Sequence, residues 1–548
     1  MGSTDVSKPH VNDDRLDPAP LSRQQLLDEV RKLLAISDSY IFEVQHFFDA
    51  ISGRVKVPRA TGLPAFIRSS LREREAIECA QSELADEGSD LDETALALIK
   101  RRIETSAAIV RHDAVHWDVL KRCHSLVAVN QTFQGSDKET RRREVSQVSG
   151  DGRQKQQLHR TLKEQGKVEV HVVDGGGEWI DVRWLQADRL ARQMADNGWG
   201  WGEHELGDDV DPAEWEDMPL AKQVRRLVVA ARINRYEYRI PRVRIVMPNL
   251  GRGASMDVDV LLDQFTRLHP SVEVVVEDAT GEFLTRACPD LKLATKNLLG
   301  DDKAGLTATL NMDHTILIDL VSDLTHSRLR PQPWQDRTTR AQIEEENGHG
   351  GLMARTLYPI LQDRLLVCTR EAAEHFHAVL DAVGTPTEKE RGRILVPWDG
   401  GRDGASPTAP APAPPEASEG KRRRFQDLSI HLVPDSLQIP IQVLSSEWTI
   451  PTVEAAVASG ALPLVALDVA RCGGFKSSKL SIYMYGWASG TTTVTSNKEI
   501  SGQIKTWVEA HRRSDDETGP SIWRIDVTRN LLAKNATSPP GRAVSLDP

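Results

Sequence analysis

Cysteine, long apolar runs and excess positive charge are all scarce in this chain. Its 548 residues include only Cys79, Cys123, Cys288, Cys368 and Cys472, which lie far apart and never in CxxC spacing. An odd number of scattered thiols speaks for reduced cysteines of the cytosol or nucleus rather than a disulfide framework. A membrane span needs about 20 apolar residues, and the best run, Gly460 to Ala470, is short and carries Asp468. The opening MGSTDVSKPH has no apolar run for a signal peptide, and Val6 stands where a myristoylation pattern needs Ser or Thr. With 69 Lys+Arg against 80 Asp+Glu, the net charge is −11. Any binding of nucleic acid must therefore use local patches. A soluble protein of the cytoplasm or nucleus, without a membrane partner, is expected.

What is present suffices for two or three domains. The 39% hydrophobic residues supply cores, while 27% charge predicts exposed or disordered segments as well. Residues 1–20 are polar and read as disordered. Over 21–163 the spacing of Leu26, Leu27, Val30, Leu33 and Leu34, of Leu96, Leu98 and Ile103, and of Val115, Leu120, Leu126 and Val127 predicts amphipathic helices. The charged stretch that follows, GSDKETRRREVSQVSGDGRQKQQ, reads as a linker.

From 164 to 300 the period changes to two. Val168–Val173 and Glu178–Trp184 alternate around Asp174-Gly-Gly-Gly177, which predicts a hairpin. Helices near 185–197, 220–229 and 258–268 are interleaved with strands at 243–247 and 272–276, the order of a parallel α/β layer. The last region, 301–548, should hold strands at 365–368, 428–432, 464–468, 480–485 and 491–495 and a helix at 370–383. It is interrupted by a Pro/Ala-rich linker at 399–424. The predicted class is α/β: a helical N-terminal region, an α/β middle layer and a three-layer α/β C-terminal domain.

The most informative stretch is Asn311-Met-Asp-His-Thr-Ile-Leu-Ile-Asp-Leu-Val-Ser-Asp-Leu324. An apolar run reaches Asp313, and a helical pattern of Ile316, Leu317, Leu320, Val321 and Leu324 follows. A buried strand ending in a carboxylate at a helix start is the way PIN-type nucleases open their acidic site. It is also an ordinary place for a helix cap.

The segments VEVHVVDGGGEWIDV, RVRIVMPNL with VEVVVEDA, NMDHTILIDLVSDLTH, RLLVCTREAAEHFHAVLDAVGTPTEKERGRIL, and SSKLSIYMYGW with TVTSN occur in that order. In that order they resemble the eukaryotic UPF-type family called domain of unknown function 1308. The resemblance implies a PIN-like C-terminal domain. Active PIN nucleases cluster three or four carboxylates around Mg or Mn, hard ions that require oxygen ligands and activate a water against a phosphodiester. Here Asp313 falls on the first acidic position. Glu374 is the leading second acid and metal ligand, with Glu371, Glu388 and Glu390 as alternates.

The later positions depart from the family. Where its members carry a segment like FGTGDTLKAITMTAN, this chain has YMYGWASGTTTVTSN, with Trp487 in place of the Asp and Asn497 in place of a further acid. A degenerate nuclease that binds RNA or a protein partner is therefore expected. The alternatives are a Mg- or Mn-dependent ribonuclease using Asp313 and Glu374 with Asp319 or Asp468, and a protein-interaction scaffold.

Other motifs read more plainly. His112 and His116 share a helix face near Cys123 and His124, a zinc-like spacing that scattered surface histidines also produce. Gly198-Trp-Gly-Trp-Gly202 matches no phosphate loop, so Trp199 and Trp201 read as packing or interface residues. Lys421-Arg-Arg-Arg424 and Arg141-Arg-Arg143 read as a nuclear localisation signal, local anion contacts or solvated charge. Cys368 reads as core, and His375 and His377 face apart on one helix.

Overall fold

The computed structural model describes residues 22–52, 60–86, 92–136, 138–301, 303–398, 415–472 and 477–533. The chain is mixed α/β and divides into two compact units, Met1–Arg235 with Ile240–Asp301, and Tyr236–Arg239 with Asp302–Pro548. The boundary expected at 163/164 thus falls inside the first unit. The expected disordered segment 1–20 and most of the linker, 399–414, lie outside the described residues.

The first unit is built on a five-stranded sheet in the order β1 (Leu126–Gln134), β2 (Lys167–Asp174), β3 (Glu178–Val182), β4 (Arg242–Met247), β5 (Val274–Asp278). The first three strands run antiparallel, and β3, β4 and β5 are parallel. The β2–β3 turn needs the left-handed backbone of Gly175 (φ 56°) and Gly176 (φ 73°), which matches the strand twist at little steric cost. Long helices Arg23–Ser52, Leu63–Ala85 and Glu93–Lys121 bury Leu33, Phe47 and Trp117 together with Ile180, Val182 and Val246 of the sheet. Trp179, Val243 and Ile245 point into a second core, shared with helices Pro219–Ile233 and Met256–Thr266. The period-two pattern of β3 and β4 feeds both layers.

Two expectations fail here. Leu126 and Val127 belong to β1, not to a helix, because their partners are the alternating residues of β2. The charged spacer forms helices Lys138–Gln147 and Gly152–Gln165. Its Arg, Lys, Glu and Gln are good helix formers, and Asp151 and Gln154 make a capping box at the second start.

The second unit carries a fully parallel sheet. Its strands are β6 (Thr309–Met312), β7 (Leu365–Thr369), β8 (Gln442–Leu444), β9 (Thr492–Thr495) and β10 (Ile522–Arg524), in the order β10-β9-β6-β7-β8. The chain moves outward from β6 to β8, then returns to build β9 and β10 on the other side. Helix Arg370–Val383 follows β7 as expected.

Leu464–Cys472 and Ser477–Ala488 are helices where strands were expected. Their apolar runs are buried on several sides, as Leu480, Ile482, Tyr483, Met484 and Trp487 are, and such runs carry no period that separates helix from strand. No strand forms at 428–432, where Leu432 is 85% exposed.

Helix Ser477–Ala488 lies close on the sheet through Gly486, where an added Cβ would overlap Thr493 Oγ1 and crowd Asn311 Nδ2. Gly486→Ala should therefore lower stability by about 1–3 kcal/mol. Gly502→Ala, in helix Lys498–His511 with nothing near its Cβ position, should raise it by up to about 1 kcal/mol. Thermal melts of the two variants against wild type check the contrast.

Candidate functional site at the strand ends

Sheet order reverses on either side of β6, so the crevice beyond the carboxyl ends of β6 and β9 is where open parallel sheets place ligands. Asp313 stands there, 1% exposed, as the N-cap of helix His314–Val321. Its Oδ1 accepts from the Thr315 amide at 3.3 Å, and its Oδ2 takes the hydroxyls of Tyr483, at 3.3 Å, and Thr495. His314 Nδ1 lies 2.8 Å from Oδ1 without the alignment of a hydrogen bond. Burial pushes this carboxyl up, but the neighbouring His314 imidazole and the Thr495 and Thr315 donors outweigh it and hold it below its ordinary range.

One turn on, Asp319 is 2% exposed. Its Oδ1 accepts the Arg529 amide at 2.6 Å, and its Oδ2 has no partner. Burial, with a smaller push from the charge of Asp313, raises this carboxyl to about 8. Two neighbouring acids are thus driven apart: Asp313 is ionised at neutral pH and Asp319 is protonated.

At the rim, the rings of His314 and His375 meet edge to face, with centroids 4.5 Å apart. His375 is lowered by burial and by His314. Helices His314–Val321, Arg370–Val383 and Lys498–His511 begin where β6, β7 and β9 end, and the positive ends of their dipoles lie at these starts.

The predicted site is not assembled as expected. Glu374 is exposed, and no bond ties it to Asp313. Glu371 Oε1 accepts the Trp448 amide, Glu388 caps its own helix, Glu390 pairs with Arg424, and Asp468 pairs with Arg513. Trp487 is packed in the core, 9% exposed. Asn497 caps helix Lys498–His511 by accepting the Ile500 amide at 3.2 Å. Among the described residues no group of three His, Cys, Asp or Glu side chains is placed to hold a metal ion. The donors at Asp313 therefore do not fit the Mg or Mn centre that the resemblance implies.

Sequence reading missed Tyr483 and Thr495 as partners of Asp313, and Arg529 as partner of Asp319. Only Thr495, at the end of a recognisable strand, left a signal.

Elsewhere, His171 of β2 joins His112 and His116, with ring centroids 5.5–6.1 Å apart. His116 is held well below its ordinary range by burial and by the two other rings. Cys123 donates its thiol to Val119 O, and burial pushes both the Cys123 and Cys368 thiols up. Trp199 is buried and donates to Asp257, whereas Trp201 is 45% exposed. Arg141 is buried against Ser136, so that basic run presents only Arg142 and Arg143 to solvent. Arg422, Arg423 and Arg424 lie on helix Pro415–Asp427 and pair with Asp435, Glu419 and Glu390.

No family model matches this chain, and no solved structure matches it. Among the described residues no helix is long and apolar enough to cross a membrane.

Proposed function

We propose that this chain is a PIN-like protein whose second unit binds single-stranded RNA at the strand ends without cleaving it. The observation that carries this reading is the state of Asp313. Its two oxygens are turned inward onto Thr315, Thr495 and Tyr483. A catalytic acid of a two-metal site must instead offer its oxygens to the ions.

What the crevice retains suits phosphate more than hydrolysis. Three helix starts supply amides and positive dipole ends, and His314, Arg370 and Lys498 occupy their first positions. Glu374 and Glu499 stand nearby on the same helices, so attraction to a polyanion rests on a few contacts. A protein partner lacks such a specific basis here. The ribonuclease reading keeps one point in its favour, the pairing of an ionised Asp313 with a protonated Asp319.

Anisotropy of a labelled oligoribonucleotide titrated with the full chain tests the proposal. Binding should weaken as salt rises, with a logarithmic slope of about −0.7 for each phosphate contact. The double variant Arg370→Ala/Lys498→Ala should bind roughly tenfold more weakly and with a shallower slope. Absence of binding at low salt, or equal binding by the double variant, would refute the assignment of this crevice.

A further inference from the structure

The crevice is crossed by the chain's own last described segment. After β10, the Ile525 amide still donates to Thr495 O at 2.8 Å, but residues 525–532 form no helix or strand. They pass instead from the end of β9 towards helix His314–Val321, and side chains of the second unit hold their backbone. The Arg529 amide donates to Asp319 Oδ1 at 2.6 Å, and the Leu532 amide to Glu388 Oε1 at 2.8 Å. Ser322 Oγ donates to Asn530 O at 2.6 Å. Gln342 clips the segment twice, accepting from the Asn530 amide and donating to Thr528 O, both at 3.1 Å.

Arg529 is the centre of this attachment. It is 2% exposed, its Nε bonds Glu346 Oε1 at 2.6 Å, and its Nη1 lies 2.9 Å from Glu345 Oε2. Buried arginine is uncommon unless paired, and here it is the cation facing acids behind the crevice. The match is incomplete. Arg529 Nη2, Glu346 Oε2 and Asp319 Oδ2 are all buried without a hydrogen-bond partner. Each unmatched atom penalises the closed arrangement, so release of the segment recovers solvation for all three.

We propose that residues 525–532 are a strap that closes the strand-end crevice, with Arg529 as its built-in cation, and that release of the strap opens the crevice to a phosphate-bearing single strand. The ligand class rests on the RNA-binding reading above; the strap itself rests on the bonds just described. Closure covers the place where the sheet order reverses and ties Asp319 to the strap backbone. Opening frees Arg529 to meet a phosphate, for which its planar fork is suited.

Gln342→Ala gives the cleanest test, because Gln342 is partly exposed on helix Arg337–His349 and its loss removes two strap bonds without a core cavity. Arg529→Ala is the second variant. Amide hydrogen exchange of full-length protein should show Arg529, Asn530 and Leu532 exchanging about tenfold faster in Gln342→Ala, with β6 amides unchanged. The same variant should bind the oligoribonucleotide about threefold to tenfold more tightly, since less of the population is closed. Arg529→Ala should speed strap exchange further but not share the gain in affinity. Unchanged strap exchange in both folded variants overturns the strap. Faster exchange with unchanged RNA affinity in Gln342→Ala overturns gating. If no form binds RNA, gating falls together with the RNA reading, and the exchange result alone decides whether the strap opens.

Discussion

Replacing Arg391 with Met is expected to destabilise the second unit by about 3–5 kcal/mol. Arg391 is 1% exposed and its guanidinium reaches Asp323 Oδ1 with both terminal nitrogens, while Nη1 also donates to Val321 O at 2.8 Å. Asp323 is 6% exposed and takes the hydroxyls of Thr385, at 2.6 Å, and Thr387 on its other side. Methionine fills much of the arginine volume, so the loss measures an unpaired buried carboxylate more than a cavity. The double variant Arg391→Met/Asp323→Leu should recover a large part of the loss, because removing both charges is far less costly than removing one. Denaturant unfolding read on the second unit's own transition checks both, since two units need not melt together. Equal stability of the single and double variants would show that the pair acts as packing alone.

Asp319→Asn is expected to stabilise the second unit at pH 8 and to leave it nearly unchanged at pH 4. The folded carboxyl is raised to about 8, while an unfolded aspartate titrates near 3.9. Between those values the folded state holds a proton that the unfolded state releases, so stability falls as pH rises, by about 1.4 kcal/mol per unit. Below the unfolded value both states are protonated and the penalty vanishes. Asparagine keeps an oxygen for the Arg529 amide and has no proton to lose. The variant should therefore gain on wild type progressively, approaching about 5 kcal/mol at pH 8. Guanidinium unfolding of both proteins at several pH values checks this, and parallel profiles would mean that Asp319 is ionised in the fold.

The sequence made the strand ending at Asp313 legible, because an apolar run stops at an acid and a period of 3.6 begins at once. Helix Arg370–Val383 and the hairpin of β2 and β3 were legible for the same reason: each has one clear period. The helices over 464–488 were not, since residues buried on several sides show no period. Nor was β1 visible, because its partner strand lies beyond two charged helices.

The site was less legible than the fold. Tyr483 and Thr495 reach Asp313 only because β9 pairs with β6, a neighbour relation set by sheet order rather than by distance along the chain. Glu374 shares a helix with His375, yet His375 meets His314 at the crevice whereas Glu374 faces solvent. A face of one helix turn decided between them. Arg529 gave no signal, because a buried arginine reads in sequence like any surface charge.

Incubation of a labelled single-stranded RNA with wild-type protein and with Asp313→Ala, each with Mg or Mn, tests the central claim most directly. The account predicts that wild type binds the strand and that neither protein shortens it. Cleavage by wild type that is lost in Asp313→Ala would contradict it and restore Asp313 as a catalytic acid.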